Sequence, residues 1–116
     1  MEEKDVNRLI RLYDLFCDPV FVKKHGHSVP GYDATVLTVK TKLMIGLLGM
    51  VTLGSVYSPR MNTKKAFPVI FLNDEQLNTL RERNFHLIVK RRKHPTGDET
   101  CMCFPDRNIF QGMILL

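Results

Sequence analysis

A stretch of fifteen residues without a charged side chain, 43–57, constrains the fold of this chain more than any other feature. It is shorter than the roughly twenty apolar residues that a helix needs to cross a bilayer. Gly46, Gly49 and Gly54 interrupt it, and each glycine costs a helix about 1 kcal/mol relative to alanine. We therefore expect residues 43–57 to be buried in a globular domain, as a pair of strands or as a strand and a short helix.

The chain has 116 residues, of which 44% are hydrophobic and 25% are charged. Both fractions are close to the averages for folded domains. Because the length fits a single domain, we expect one domain spanning residues 1–116. A chain of this size buries only a modest core. Self-association into a homo-oligomer would bury more apolar surface, and we expect it here.

Two patterns predict helices. Apolar residues at three- and four-residue spacing predict an amphipathic helix over residues 5–17, which should end before Pro19. Asn73 followed by Gln76 resembles a capping box and predicts a short second helix from Asp74 to about Arg83.

The remaining apolar segments predict strands, and the order of elements predicts an α+β fold with a mainly antiparallel sheet. Pro68 cannot donate to a strand ladder, so its strand should lie at an edge or contain a bulge. We interpret residues 105–108 as a turn between the last two strands. The predicted strands cover 19–22, 34–42, 66–72, 85–90, 99–104 and 109–116.

Positive charge is the main functional signal. Lys and Arg total 17 against 12 Asp and Glu, a net charge of +5, which favours association with nucleic acid or an anionic membrane surface. The densest cluster is 90–94; it also resembles a nuclear localisation patch, or a strand end charged to discourage edge pairing. The basic residues that we expect to contact the anionic partner are Lys23, Lys24, Lys40, Lys42, Arg60, Lys64, Lys65, Lys90, Arg91, Arg92 and Lys93.

Nucleic-acid bases would also need aromatic groups to stack on, and Tyr32, Phe85 and Phe104 are the candidates. A non-catalytic, self-associating protein of this kind has the profile of a small viral matrix or accessory protein, an analogy of properties and not of sequence. The alternative hypothesis is a protein–protein adaptor or inhibitor. Its contact surface would be the helix 5–17 or the apolar stretch 43–57.

Catalysis and metal binding have little support in the sequence. There is no phosphate-binding glycine loop, no nucleophile elbow and no metalloprotease motif. Cys101, Cys103, His25 and His27 offer zinc ligands, but the gaps of one residue are shorter than those of structural zinc sites. We therefore expect no cofactor and no enzyme activity. Three cysteines, an odd number, and a charged start without a signal peptide favour an intracellular protein, in the cytoplasm, the nucleus or at a membrane periphery.

Overall fold

The structure is a computed structural model that describes residues 3–29, 31, 33–60, 64–93, 96–97 and 99–115, with the backbone alone at 40–45, 92 and 100. Within these residues the helices and strands follow the order α1 (Glu3–Phe16), α2 (Pro19–His25), β1 (His27–Ser28), β2 (Thr35–Ile45), a turn of 3₁₀ helix (Gly46–Leu48), β3 (Gly49–Tyr57), β4 (Phe67–Leu72), α3 (Asp74–Glu82), β5 (Ile88–Lys93), β6 (Glu99–Phe104) and α4 (Arg107–Ile114).

The six strands form one sheet in the order β1-β2-β3-β4-β6-β5, and every neighbouring pair is antiparallel. This confirms the predicted α+β fold with an antiparallel sheet. The N-terminal amphipathic helix is α1. The helix expected after Asn73 is α3, and its capping box is complete: Asn73 and Gln76 each accept from the other's backbone N–H.

Two predicted strands are helices instead. Residues 19–22 begin α2, because the Asp18 side chain accepts from the Val20 N–H and Pro19 takes the first helical position. Residues 109–116 were expected to be a strand, but most of them belong to α4, which Asp106 caps by accepting from the Ile109 N–H. A capping side chain decides between helix and strand where a short apolar run alone cannot.

The uncharged stretch forms the end of β2, the 3₁₀ turn and β3, which agrees with the first of the two expectations, a pair of strands. Gly46 begins the turn and Gly49 follows it, with φ angles of 42° and 73°, in the left-handed region that favours glycine. Leu53 is buried, whereas Leu47 and Met50 at the tip of this hairpin are 57% and 62% exposed. The stretch is therefore core along most of β3 and surface at its tip.

β4 is an interior strand, but Pro68 itself lies at a local edge of the sheet, in partial agreement with the predicted edge position. β4 pairs with β3 on one side and with β6 on the other, but β6 reaches only Ile70–Leu72. At Pro68 the strand has lost its second neighbour, which removes the need for an N–H there. The strand expected from Phe85 begins only at Ile88.

All four helices contribute to one hydrophobic core on one side of the sheet. The Ser55 hydroxyl of β3 donates to the Phe16 carbonyl oxygen of α1. The Gln76 side chain of α3 donates to the Leu48 carbonyl. The strand residues in this core include Leu37, Leu53, Ile70, Leu72, Cys101 and Cys103. The fold is thus two layers, with helices packed on one face of the sheet.

Candidate functional site

The other face of the sheet is separate from this core, and we call it the open face. Opposed residues of neighbouring antiparallel strands point to the same face, so the strand register identifies its members. One row crosses four strands: Thr52 opposes Phe71, Phe71 opposes Met102, and Met102 opposes Lys90. Further members with described side chains are Val36, Thr38, Val56, Phe67, Val69, Ile88 and Phe104.

Three phenylalanine rings dominate the open face. Phe67, Phe71 and Phe104 are each half-buried, and all three lie outside the main core. Val69 lies between Phe67 and Phe71 on β4 and is 1% exposed, although it too is outside that core. These four residues are the aromatic patch. The patch packs tightly against the backbone, because a Cβ built on Gly54 would lie 3.1 Å from the Phe71 ring.

The charge around the aromatic patch is positive. The Lys90 Nζ lies 6.0 Å from the centre of the Phe104 ring, within the range of a cation–π contact. Lys90 is otherwise exposed. Among the strand residues that the structure describes, no Asp or Glu has a register position on the open face. The open face therefore combines partly accessible aromatic carbon with an ammonium group that has no carboxylate beside it at the described strand positions.

Strand alternation divides the basic cluster 90–93 between the two faces. Arg91 is on the helix side, where its Nη1 lies 2.8 Å from Asp74 Oδ1 and 3.9 Å from Glu99 Oε2. This pairing lowers the pKa of Asp74 and raises that of Arg91. Lys93 opposes Glu99 in the register. Arg91 and Lys93 are thus next to acidic residues, and Arg91 is engaged in an ion pair.

Most of the remaining predicted basic residues lie away from Lys90. Lys23 and Lys24 are in the last turn of α2, and the Lys23 Nζ lies 4.6 Å from the centre of the Tyr57 ring. Arg60, Lys64 and Lys65 are exposed between β3 and β4. Lys40 and Lys42 are in β2, and the side chains of Lys40, Lys42 and Arg92 are not described. By register Lys40 opposes Thr52 on the open face, but four strand spacings, about 19 Å, separate β2 from β5, so the predicted residues do not form one cluster.

Of the zinc ligands that the sequence offers, the two cysteines lie far from His27. Cys101 and Cys103 point to the same side of β6, and both are buried. Burial, together with the Cys101 charge, raises the pKa of Cys103 to about 11, which disfavours the thiolate that binds metal. His27 is in β1, four strand spacings from β6, or about 19 Å. Among the described residues, no group of three or more His, Cys, Asp or Glu side chains could hold a metal ion.

Sequence reasoning identified one ring of the patch, Phe104, and missed Phe67 and Phe71. Of the other two stacking candidates, Phe85 packs against the core, and Tyr32 lies outside the described residues. The signal that would have identified them is the alternation along 67–72. Ile70 and Leu72 join the core, so Phe67 and Phe71 face away from it. A proline-containing run that is apolar on both faces concealed it.

The surfaces expected for an adaptor are mostly occupied by the chain itself. The apolar stripe of α1 is buried through Leu9, Tyr13 and Phe16.

Within the residues that the structure covers, no helix combines the length and the apolar character needed to cross a membrane.

No protein-family model matches the chain, and no curated protein or solved structure is significantly similar to it.

Proposed function

We propose that the protein binds single-stranded nucleic acid on the open face of its sheet and acts by binding, without catalysis. One observation carries the proposal: the ammonium of the exposed Lys90 lies over the half-buried Phe104 ring, on a face whose described strand positions contain no acidic residue. Proteins that bind single strands combine basic groups along the backbone path with aromatic rings on which bases stack. Among its described side chains, the open face offers one such basic group, Lys90, beside the three rings of the aromatic patch.

The aromatic patch suits bases better than a second copy of the chain. A symmetric dimer would place this face against itself. Such a dimer would bury Lys90, and the described strand positions of this face offer no carboxylate to pair with it. The homo-oligomer expected from the small core would therefore use a different surface. A nucleic-acid strand brings apolar base faces and negative phosphates together, which complements both components of the open face.

An anionic membrane suits the molecule less well. The best candidate for insertion is the hairpin tip at Leu47, where an apolar side chain is 57% exposed. This tip borders a groove that Glu75 and Gln76 also line, and Asp74 precedes them in the same helical turn. Carboxylates beside the tip would be repelled by anionic headgroups. The described charged residues beside the tip are therefore acidic, whereas an anionic membrane attracts basic ones.

The proposed place of action is inside the cell, in the cytoplasm or the nucleus. The three cysteines are free thiols, and Cys101 and Cys103 are buried on the same strand without a disulfide. Free thiols are typical of reducing compartments, where single-stranded RNA also occurs.

The test is binding of purified protein to a fluorescently labelled single-stranded RNA, a single-stranded DNA and anionic liposomes, each between about 50 and 200 mM salt. We expect salt-sensitive binding to a single strand and weaker binding to liposomes. Liposome binding alone would contradict the proposal and restore the membrane hypothesis. Binding to none of the three would favour the adaptor hypothesis.

A further inference from the structure

The geometry points to a footprint of three successive bases, one on each ring of the aromatic patch, with the strand's phosphates passing Lys90. This inference rests on the proposed function and makes it more specific, because it states how many bases stack. It also makes a single strand the ligand, since the bases of a duplex are stacked on each other and present only their edges.

The spacing of the rings carries the inference. Phe67 and Phe71 are four residues apart on β4, and so about 13 Å apart along the strand. Phe104 is two residues along β6 from Met102, the partner of Phe71, and such diagonal neighbours are about 7–8 Å apart. Phe104 is also one residue beyond the last β4–β6 pair, which places it beside Val69. The rings therefore form a zigzag of similar steps in the order Phe67, Phe104, Phe71.

Each step of this zigzag is short enough for one extended sugar–phosphate linkage. A direct step from Phe67 to Phe71 is not, which makes Phe104 the middle position. The floor between the rings is Val69, a side chain without a hydrogen-bonding group. The patch can thus contact base faces but offers little to their edges, so we expect it to tolerate any base sequence.

Lys90 fixes where the backbone passes. Its ammonium lies over the Phe104 ring in the free protein, so a base that stacks on Phe104 displaces it. The displaced ammonium remains next to the middle base and can pair with its phosphate. The positive charge therefore lies beside the central position of the footprint, where it is within reach of either flanking phosphate.

The test keeps the phosphates constant and varies the bases. Oligonucleotides of one length carry abasic sites everywhere except for one, two, three or four adjacent bases, in an RNA and a DNA series, with a fully abasic and a fully based strand as the end points of each series. Binding is measured by fluorescence anisotropy with the wild-type protein at fixed salt. We expect affinity to rise about five-fold or more with each of the first three bases and to change little with the fourth.

The outcomes separate this inference from the proposed function. A plateau after one base, or a rise that continues undiminished through four, would overturn the three-base footprint while leaving single-strand binding intact. If the fully based strand binds no better than the fully abasic one, stacking is absent and the proposed function fails as well. If the RNA series alone shows the plateau, the ligand is RNA. Plateaus in both series show that the patch does not discriminate between RNA and DNA.

Variants provide a second measurement. Phe67→Leu should lower the plateau from three bases to two, whereas Leu47→Ala at the exposed hairpin tip should leave it at three. Thermal melting confirms that each variant is folded. A Phe67→Leu variant that is folded and retains a three-base plateau would refute the place given to Phe67.

Discussion

Stacking on Phe104 and charge on Lys90 make separable contributions to binding, and two substitutions distinguish them. Phe104→Leu removes the ring but keeps an apolar side chain of similar bulk at a half-buried position. Lys90→Met keeps the length and the apolar stem of the side chain and removes the ammonium that lies 6.0 Å from that ring. Neither residue belongs to the main core, so we expect both variants to fold.

The two variants should differ in how salt affects them. Loss of one base stack costs about 1–3 kcal/mol, which corresponds to an affinity lower by about 5- to 150-fold. Because stacking releases no counterion, the dependence of log affinity on log salt should be unchanged in Phe104→Leu. For a single strand each phosphate contact contributes about 0.7 to that slope, so Lys90→Met should make the slope shallower by about 0.7.

The assay is fluorescence anisotropy with one labelled single strand over a series of salt concentrations. Lys24→Met is the matched control for charge, because Lys24 is exposed on α2, in the helix layer. Leu47→Ala is the control for loss of exposed apolar surface. The reasoning is refuted if folded Phe104→Leu binds like the wild type, or if Lys24→Met changes the slope as much as Lys90→Met does.

Three further predictions concern the scaffold and are measured by urea unfolding unless stated. Ser55→Ala should lower the free energy of unfolding by about 1–3 kcal/mol, because the buried hydroxyl is the donor to the Phe16 carbonyl; an unchanged midpoint would contradict this. Asn73→Ala should cost about 1 kcal/mol through loss of the capping box, whereas Asn78→Ala, exposed in the same helix, should cost much less. Burial raises the pKa of Tyr13 from 10.0 to about 12, so the folded state favours the protonated phenol more than the unfolded state does. The stability that this preference contributes is complete below pH 10 and is lost as the pH rises towards 12. A tyrosinate absorbance titration in which every tyrosine ionises near pH 10 in the folded protein would refute it.

The elements that the sequence predicted correctly carry a strong local signal. The helix 5–17 has an apolar stripe that repeats over several turns, and the helix after Asn73 has a capping box. Helices α2 and α4 were missed because seven or eight residues contain too few turns for a clear period. Asp18 before Pro19, and Asp106, were the available evidence for these helices, since each caps the helix that follows it.

The candidate site was less predictable than the fold because it depends on which strands are neighbours. The sequence shows that Lys90 and Phe104 are fourteen positions apart, but only the pairing of β5 with β6 brings them into contact. In the same way, the run Lys90–Lys93 reads as one basic cluster. Its division between two faces, with Arg91 paired to Asp74, follows from strand alternation and from the position of α3.

The central claim is that nucleic acid binds to the open face of the sheet, and amide NMR during titration with a single-stranded RNA tests it most directly. The account predicts progressive chemical-shift changes at Thr52, Phe71, Met102 and Lys90, in one row across four strands, with little change in α1 and α2. Changes confined to α2 and its Lys23 and Lys24, with the row unaffected, would contradict it and place the interface on the helix layer.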